Sequence, residues 1–399
     1  YKNNVSQGNA FTDLADTTRW IPYLGSFNAT GGGSINFGQR PFKYTPPTGF
    51  LKLNTFNLPD STIEDGSDYF NTVLYSGSSA SEVSVTGVGF QPDFVWDKNR
   101  NNAYQHYLWD AVRGTTKYLV SNSNAAETTD ANSLKSFDSD GFTLGAGSTF
   151  ATMSAGNTHV GWAWKANGSG VSNTDGSITS TVSANTEAGF SIVSYTGTNS
   201  NSTVGHGLGV APSMVICKNR TAGIGSGSWP VWHTGLSSGT SYLFLNSTAA
   251  QASGNNNFTS APSSTVLNLG TSDTNNTATM IAYCFAEVPG YSAFGKYTGN
   301  GSADGTFVYT GFRPAFVIIK RSDSTANWLM YDNKRLGYNQ NNNYLLPDLA
   351  NAEGSGDNYP DLLSNGFKPR VANQSFNVSG GTYIYMAFAE NPFKNANAR

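Results

Sequence analysis

The chain has 399 residues, a formal net charge of −3 and only 12% charged residues. This length allows two to four domains that each bury a core, while the near-neutral charge without a Lys/Arg stripe argues against nucleic acid as the main partner. Abundant Gly, Ser, Thr and Asn disfavour helix, and 20 Tyr, 24 Phe and 8 Trp favour pleated sheet. The composition therefore predicts an all-β protein without a membrane-spanning segment.

The N-terminal piece, residues 1–66, does not fit the pattern of the rest of the chain. It contains its own strand-like segments, around 20–23 and 35–38, and an extended tail at 44–50 that carries two prolines. The chain opens on strand-like sequence without an initiator Met or a signal peptide. We therefore expect it to be part of a longer polypeptide.

One block then recurs three times. Each copy opens on a strand that ends in Tyr-x-Gly, at Tyr75, Tyr195 and Tyr297. A turn containing Gly and Pro leads into an apolar strand that ends at Lys, in the sequences GFQPDFVWDKNR (89–100), GLGVAPSMVICKNR (207–220) and GFRPAFVIIKRSD (311–323). An aromatic strand follows, and each copy closes on an alternating strand: HVGWAWKA (159–166), MIAYCFAE (280–287) and YIYMAFAE (383–390).

These copies predict the domain organisation. We place repeat 1 at 67–168, a linker at 169–188, repeat 2 at 189–290 and repeat 3 at 291–399. Residues 167–177 form a Gly/Ser/Asn stretch of the flexible type, and 179–187 continue as a polar strand or connector. Each repeat offers six to eight short strands divided by Gly, Asn, Asp or Pro, which is typical of a β-sandwich. The pattern fits either three tandem sandwich-like domains or three lobes of one pseudo-threefold body.

The aromatic positions that the repeats share are expected to be core, because alternation places them on one sheet face. They are Trp162, Trp164, Tyr283, Phe285, Tyr385 and Phe388. The two cysteines, Cys217 and Cys284, lie in apolar strands and are predicted to be small buried hydrophobes, with a single disulfide as the alternative.

The sequence predicts no catalytic residues, no metal site and no cofactor. It lacks HExxH and CxxC spacings, a GxSxG elbow and a phosphate-binding loop. The closest carboxylate groups for glycan cleavage are Glu64, Asp65 and Asp68, and Asp138 with Asp140. Asp140-Gly141 is better interpreted as a hairpin turn.

Recognition is expected in the long polar loops, among them 221–228 and 271–277. Four side chains are the candidate ligand-binding residues because they could stack on a sugar: Trp229, Trp232, His233 and Trp328. Packing in the core is the alternative for each of them.

Particular motifs carry a resemblance to phage proteins. The runs NNVSQGNAF (3–11) and GSINFGQRPFKYTPPTGFLKLN (33–54) resemble the last part of the SPRY domains, which are concanavalin-like β-sandwiches, found in marine bacteriophage proteins. The motifs VRGTTKYLVSN, SFDSDGFTLG, HVGWAWKANG and YTGNGSADGTFVYTGFRPAFVIIKR resemble an uncharacterised repeated domain that follows such segments, over 68–399. The run AFAENPFKNANAR resembles a true C-terminus.

The resemblance implies a virion protein on the tail or particle surface, outside cells. The first hypothesis is a tail-fibre or adhesin segment that binds a host glycan or protein receptor, assembles with other virion proteins and forms a homo-oligomer, with a trimer favoured. The second is a capsid or tail decoration protein without a ligand, and the third is a glycan depolymerase. We expect no enzymatic activity, no nucleic acid partner and no membrane insertion.

Overall fold

A computed structural model describes residues 5, 8, 36, 40–45, 57, 60–78, 81–146, 155–336, 339, 343–356 and 360–394. The chain divides into two compact units, Tyr1–Asp60 and Ser61–Arg399. Most of the SPRY-like segment predicted at 1–66 lies outside the described residues. Within it, the Asn36 side-chain oxygen accepts a hydrogen bond from the Arg40 N–H at 3.2 Å. The second unit contains all three repeats.

The first repeat forms lobe 1 (70–164), which is all-β and antiparallel. Its strands are β1 (Phe70–Ser76), β2 (Val83–Thr86), β3 (Phe94–Asn99), β4 (His106–Asp110), β5 (Lys117–Val120), β6 (Thr128–Thr129), β7 (Leu134–Asp138), β8 (Gly141–Leu144) and β9 (Thr158–Trp164). The main sheet has the order β1-β9-β3-β4-β5-β6, and a smaller outer sheet has the order β2-β8-β7. The predicted hairpin turn joins β7 to β8, and the Asp140 carboxylate accepts the N–H groups of Gly87 and Gly89 at 3.1 and 2.6 Å.

The second repeat forms lobe 2 (171–285). Its strands are β10 (Val171–Asn173), β11 (Ser180–Asn185), β12 (Phe190–Thr196), β13 (Ser202–Gly205), β14 (Met214–Asn219), β15 (Pro230–His233), β16 (Ser241–Phe244), β17 (Ala252–Ser253), β18 (Val266–Leu269) and β19 (Thr279–Phe285). The main sheet has the order β10-β11-β12-β19-β14-β15-β16-β17, and β13-β18 form the outer sheet. The predicted linker 169–188 supplies β10 and β11 of this sheet. Val182 is buried and β11 pairs with β12 along its length, which confirms the strand alternative for 179–187.

The third repeat forms lobe 3 (292–392). Its strands are β20 (Ser292–Thr298), β21 (Val308–Tyr309), β22 (Phe312–Arg321), β23 (Trp328–Asp332), β24 (Pro360–Leu363), β25 (Gly366–Pro369) and β26 (Thr382–Pro392). The main sheet has the order β20-β26-β22-β23, and the outer sheet has the order β21-β25-β24. The register of β22 against β26 shifts at Pro314, since proline lacks the N–H that a ladder needs.

Each lobe is a two-sheet sandwich with its own apolar layer. In lobe 1, Val95 and Trp109 of the main sheet pack with Phe142 and Leu144 of the outer sheet. Equivalent clusters fill lobes 2 and 3. Both cysteines are free and buried in lobe 2, which confirms that they are small hydrophobes. The all-β, sandwich-like fold class is thus confirmed.

The other faces of the three main sheets share one central core. A single apolar cluster draws buried residues from all three lobes. At its middle, Trp164, Phe285 and Phe388 hold the same register position in their lobes and contact one another edge to face. Their ring centroids are 6.3, 5.8 and 6.1 Å apart. This triangle marks a pseudo-threefold axis, so the repeats are lobes of one body.

The predicted core positions are buried, with one difference. The lobe 3 residue that is equivalent to Trp162 and Tyr283 is Met386. Tyr385, which was predicted for this position, faces the outer apolar layer of lobe 3. Strand alternation explains the difference, since neighbours along a strand face opposite sides of the sheet.

Junction 1/2, between lobes 1 and 2, contains a buried polar cluster. The Tyr283 hydroxyl of lobe 2 donates to the Asp110 carboxylate of lobe 1 at 2.8 Å, and Arg113 donates to the same oxygen at 2.5 Å. Burial alone would lower the pKa of Arg113, but Asp110, Tyr283 and Glu127 raise it above its ordinary value. Arg220 of lobe 2 then holds Glu127 with two bonds of 2.8 and 3.0 Å.

Junction 3/1, between lobes 3 and 1, repeats this cluster. The Trp162 indole N–H of lobe 1 donates to the Asp332 carboxylate of lobe 3 at 3.1 Å, and Arg335 donates to the same oxygen at 2.6 Å. Arg100 of lobe 1 holds Glu353 of lobe 3 with two bonds of 2.9 Å. The same strand ends therefore make the same contacts around the axis.

Junction 2/3, between lobes 2 and 3, has the same backbone arrangement with other side chains. His233 and Leu236 stand where the other junctions have Asp and Arg. The His233 Nε2–H donates to the Tyr385 carbonyl at 3.0 Å, since Nδ1 accepts a backbone N–H. The Gln251 N–H donates to the Ser322 carbonyl at 2.8 Å, as the Glu127 N–H does to Arg220 in junction 1/2.

Candidate functional site

The four residues predicted to stack on a ligand lie in the core. Their exposed fractions are 0% for Trp229, 6% for Trp232, 1% for His233 and 1% for Trp328. The Trp232 indole N–H donates to the Gly239 carbonyl at 3.1 Å, and burial lowers the pKa of His233 to about 4. Stacking on a sugar needs an exposed ring face, so these positions do not support the ligand assignment, and core packing describes them.

Two of these tryptophans join neighbouring lobes. The Trp229 indole N–H donates to the Val120 carbonyl of lobe 1 at 3.0 Å, and the Trp328 indole N–H donates to the Phe244 carbonyl of lobe 2 at 3.0 Å. His106 occupies the same position in lobe 1. Its ring accepts the Trp96 indole N–H at 3.0 Å and interacts with the Leu346 backbone of lobe 3. These rings are structural parts of the junctions.

The loop 271–277 is also internal, although its polarity suggested an exposed recognition loop. Thr274 and Asn275 are fully buried, and the Thr274 carbonyl accepts the Tyr195 hydroxyl at 2.5 Å. The Asn275 side chain accepts the Thr198 N–H at 2.9 Å. The polar groups of this loop form hydrogen bonds inside lobe 2, and the composition of the loop alone does not reveal this.

In lobe 1 a half-buried tyrosine contacts a buried aspartate and a buried histidine. The Tyr75 hydroxyl donates to Asp97 at 2.6 Å, and the other Asp97 oxygen lies 3.4 Å from His159 Nδ1. Burial, and then the Asp97 charge, raise the pKa of Tyr75 well above its ordinary value. The Tyr75 ring stacks on His159 with centroids 5.0 Å apart. Asp97 and His159 are fully buried, so a substrate has no path to these atoms in this conformation.

Three lysines are buried at equivalent strand ends, one in each lobe. Lys98 donates to the Asn99 carbonyl at 2.7 Å, Lys320 donates to the Thr248 carbonyl at 3.1 Å, and Lys218 donates to a carbonyl in the loop that follows its strand. Burial lowers the pKa of each ammonium group to about 8. Carbonyl oxygens satisfy the N–H groups but supply only partial charge, so the charged form is costly there.

These lysines predict that stability increases from pH 8 to about pH 10. Their pKa values of about 8 lie below the ordinary value of 10.5, so in this window the unfolded chain binds more protons. The free energy of unfolding should rise by up to about 1.4 kcal/mol per pH unit for each lysine. Above pH 10 the buried tyrosines, whose pKa values are raised, reverse the trend. Urea unfolding between pH 7 and 10 measures this, and Lys320→Met should flatten the slope.

An exposed aromatic pair lies on the outer sheet of lobe 3. Phe307 and Tyr309 are 43% and 42% exposed, while Val308 between them is buried under the sheet. Alternation therefore directs both rings away from the lobe. Tyr309 pairs with Gly366 of β25, where an added Cβ would meet the Val308 carbonyl at 2.0 Å. The strand facing Tyr309 thus requires glycine at position 366.

The other two lobes show that packing does not require these rings. One buried valine holds an equivalent position in each outer sheet, because it pairs with the same position of the neighbouring strand. These valines are Val85, Val204 and Val308. The residues that flank this valine are Ser84 and Thr86 in lobe 1 and Thr203 and Gly205 in lobe 2. Only lobe 3 has aromatic side chains at both outward positions, which suggests a role beyond folding.

Charged groups border the aromatic pair. Lys368 follows the buried Phe367 on β25 and forms an ion pair of 2.5 Å with Asp304. Arg370 lies 3.4 Å from Asp304 and 3.3 Å from Asp361. The Lys368 hydrogen bond lowers the pKa of Asp304. We call Phe307, Tyr309, Lys368, Arg370 and Asp304 the lobe 3 face; it combines ring surfaces with hydrogen-bond donors and acceptors.

The sequence analysis missed this face. Its signal was the run Phe307-Val308-Tyr309, which breaks the repeat pattern by adding two aromatics beside the shared valine. The equivalence becomes clear only once the strands are aligned by register.

Comparisons with known proteins give a family and no function. Among the described residues, no helix is long and apolar enough to cross a bilayer, and no three His, Cys, Asp or Glu side chains are placed to hold a metal. No curated protein and no solved structure gives a significant match. Residues 65–392, which include all three lobes, match the family model described as Domain of unknown function (DUF7483), and the chain therefore belongs to that family.

Proposed function

We propose that this chain is a segment of a bacteriophage tail fibre or adhesin that attaches the virion to a host-surface glycan through the lobe 3 face. The observation that carries the proposal is the exposed Phe307–Tyr309 pair, at positions that are small or polar in the other lobes. The resemblance of the repeats to marine phage proteins supports the virion assignment. In this role the chain works at the particle surface with other virion proteins.

The chemistry of the lobe 3 face suits a glycan. Aromatic rings pack on the apolar side of a sugar ring, and they lose little entropy because they have only two rotatable bonds. Lys368 and Arg370 can donate to ring hydroxyl or carboxylate oxygens, and Asp304 can accept from hydroxyl groups. Most of the binding free energy should come from the two rings, since exposed charges contribute little.

The shared core suits an attachment protein that must withstand mechanical force. Three lobes around one aromatic axis, closed by polar contacts at every junction, form a stiff support for a surface site. The same observation favours a second candidate, a decoration or scaffold protein without a ligand. A homotrimer, favoured by comparison with phage fibres, remains a proposal to be tested by sizing.

Removing the two rings should weaken glycan binding without unfolding the protein. The variant Phe307→Ser with Tyr309→Thr copies lobe 1 at these positions. We expect at least about 10-fold weaker binding to an array of bacterial surface polysaccharides, which corresponds to about 1.4 kcal/mol. Val210→Ser, which removes another exposed apolar side chain, is the matched control and should bind normally. If the unaltered chain binds no polysaccharide on the array, the decoration role is favoured instead.

A further inference from the structure

A polar pocket lies at junction 1/2, remote in sequence from the lobe 3 face. It has a volume of about 300 Å³ and is lined by 124–126 of lobe 1 and 221–227 of lobe 2. The lining consists of Gly, Ala, Ser, Thr and Asn with one Ile. This volume is at the lower end of the range of about 300–1,000 Å³ for small-molecule sites.

A local insertion accounts for the lobe 2 wall. The shared lysine and the following junction ring are 229 − 218 = 11 residues apart in lobe 2, but 106 − 98 = 8 in lobe 1 and 328 − 320 = 8 in lobe 3. The loop 221–228 is therefore three residues longer than its two counterparts. Since the shorter loops already connect the same strands, the additional length is not needed for the fold.

Buried side chains hold the inserted loop in place. Lys218 donates to the Gly227 carbonyl, and the Asn219 amide donates to the Ile224 carbonyl. The Asp273 carboxylate accepts the Ser226 N–H at 3.0 Å and its hydroxyl at 2.6 Å. A loop fixed by three buried polar groups keeps the shape of its pocket before a ligand arrives, which limits the entropy lost on binding.

The two walls are also fixed to each other. A Cβ on Gly227, whose φ is 69°, would meet the Asn124 carbonyl at 2.2 Å, so the backbones of the two loops touch there. The ion pair between Arg220 and Glu127 fastens the same two loops at 2.8 Å. The pocket therefore has rigid sides that come from different lobes.

One buried donor at this wall lacks a partner. Asn276 is 7% exposed, and its Nδ2 has no hydrogen-bond partner among the described residues. It lies beside Gly225, which lines the pocket, and a Cβ on Gly225 would come within 2.5 Å of it. An unsatisfied buried amide costs about 1–3 kcal/mol. The Nδ2 atom itself is buried behind the Gly225 wall, so it marks an unfavourable position next to the pocket and not a group that lines it.

We propose that this pocket binds a neutral, hydroxyl-rich ligand of one or two sugar rings. The lining offers hydroxyl, amide and backbone groups, and the nearby charges of Arg220, Glu127 and Asp273 already have partners. A charged ligand would meet no free counter-charge among these groups, whereas sugar hydroxyls match their donors and acceptors. This site shares no residue with the lobe 3 face and does not rest on the proposed function.

Saturation-transfer NMR on the full chain tests the inference. The probes are methyl glucoside, methyl galactoside, methyl mannoside, maltose and lactose, with glucuronate and glucosamine as charged comparisons. Ala222→Trp places a large ring in the pocket. The control Ala103→Trp places the same ring in the shorter, exposed loop of lobe 1, outside the pocket. We expect signals from at least one neutral probe that disappear in Ala222→Trp and persist in Ala103→Trp.

Binding at the two faces can be separated. Signals that survive Phe307→Ser with Tyr309→Thr but disappear in Ala222→Trp belong to the pocket. Signals with the opposite behaviour, or no signal from any neutral probe, overturn the inference, and the array result on the lobe 3 face is unaffected. If Ala222→Trp does not fold, Asn124→Ala replaces it, and we then expect at least about 5-fold weaker binding, since the variant removes a lining amide.

Discussion

Replacing Trp164 with alanine is expected to lower the free energy of unfolding by about 3–5 kcal/mol and to weaken all three lobes together. Trp164 is 1% exposed and contacts the equivalent aromatic residue of each other lobe at the axis. A cavity there removes contacts that every main sheet shares. The substitution should therefore destabilise lobes 2 and 3 as well as lobe 1, in which Trp164 lies.

Hydrogen–deuterium exchange measures this prediction lobe by lobe. In Trp164→Ala, protection should fall in β19 of lobe 2 and β26 of lobe 3 as well as in β9. Leu134→Ala is the control, because Leu134 is fully buried in the outer layer of lobe 1. Its effect should remain largely within that lobe. Unchanged protection of lobes 2 and 3 in the Trp164 variant would show that the lobes are independent.

Replacing Arg113 with leucine should cost about 3–5 kcal/mol, because it leaves the Asp110 carboxylate buried beside an apolar side chain. Junction 2/3 shows how to remove the charge without this penalty. Its residues at the three positions are His233, Leu236 and Met386. The triple variant Asp110→His, Arg113→Leu, Tyr283→Met copies them, and we expect it to be more stable than Arg113→Leu alone.

Denaturant unfolding of the two variants and the parent chain decides the point. The ion pair of Arg220 with Glu127 remains in both variants, so the comparison isolates the Asp–Arg–Tyr cluster. A triple variant that is less stable than Arg113→Leu would contradict the prediction. It would show that the apolar set of junction 2/3 cannot replace the Asp–Arg–Tyr cluster in junction 1/2.

The all-β class and the three repeats could be predicted, because their signals are local. Tyr-x-Gly strand ends, turn prolines and alternating aromatics repeat in sequence, and the aromatics Trp162, Trp164, Tyr283, Phe285 and Phe388 proved to be core. Only the stretch 167–177 was mistaken for a flexible segment, because β10 is short and polar, whereas the strand alternative for 179–187 was correct. The order of β10 comes from its pairing with β11, which composition does not show.

The candidate ligand residues were misplaced for a related reason. Trp229 and Trp328 are buried against carbonyl groups of the preceding lobe, and that neighbour is not visible in the sequence around them. The lobe 3 face was missed because the two added aromatics in one strand depart from the repeat. Such departures become evident only after the repeats are superposed by strand register. Loop 221–228 was expected to take part in recognition, but its pocket was not foreseen, because the facing segment 124–126 belongs to another lobe.

Linking three lobes in one chain changes how the surface can diverge. In a homotrimer every substitution appears three times around the axis, so a new ring or loop must suit three places at once. In this chain the aromatic triangle keeps the shared packing of the three lobes, while the surface residues of each lobe are encoded separately and can change independently. A single-copy face in lobe 3 and a single-copy pocket at one junction are what such freedom permits.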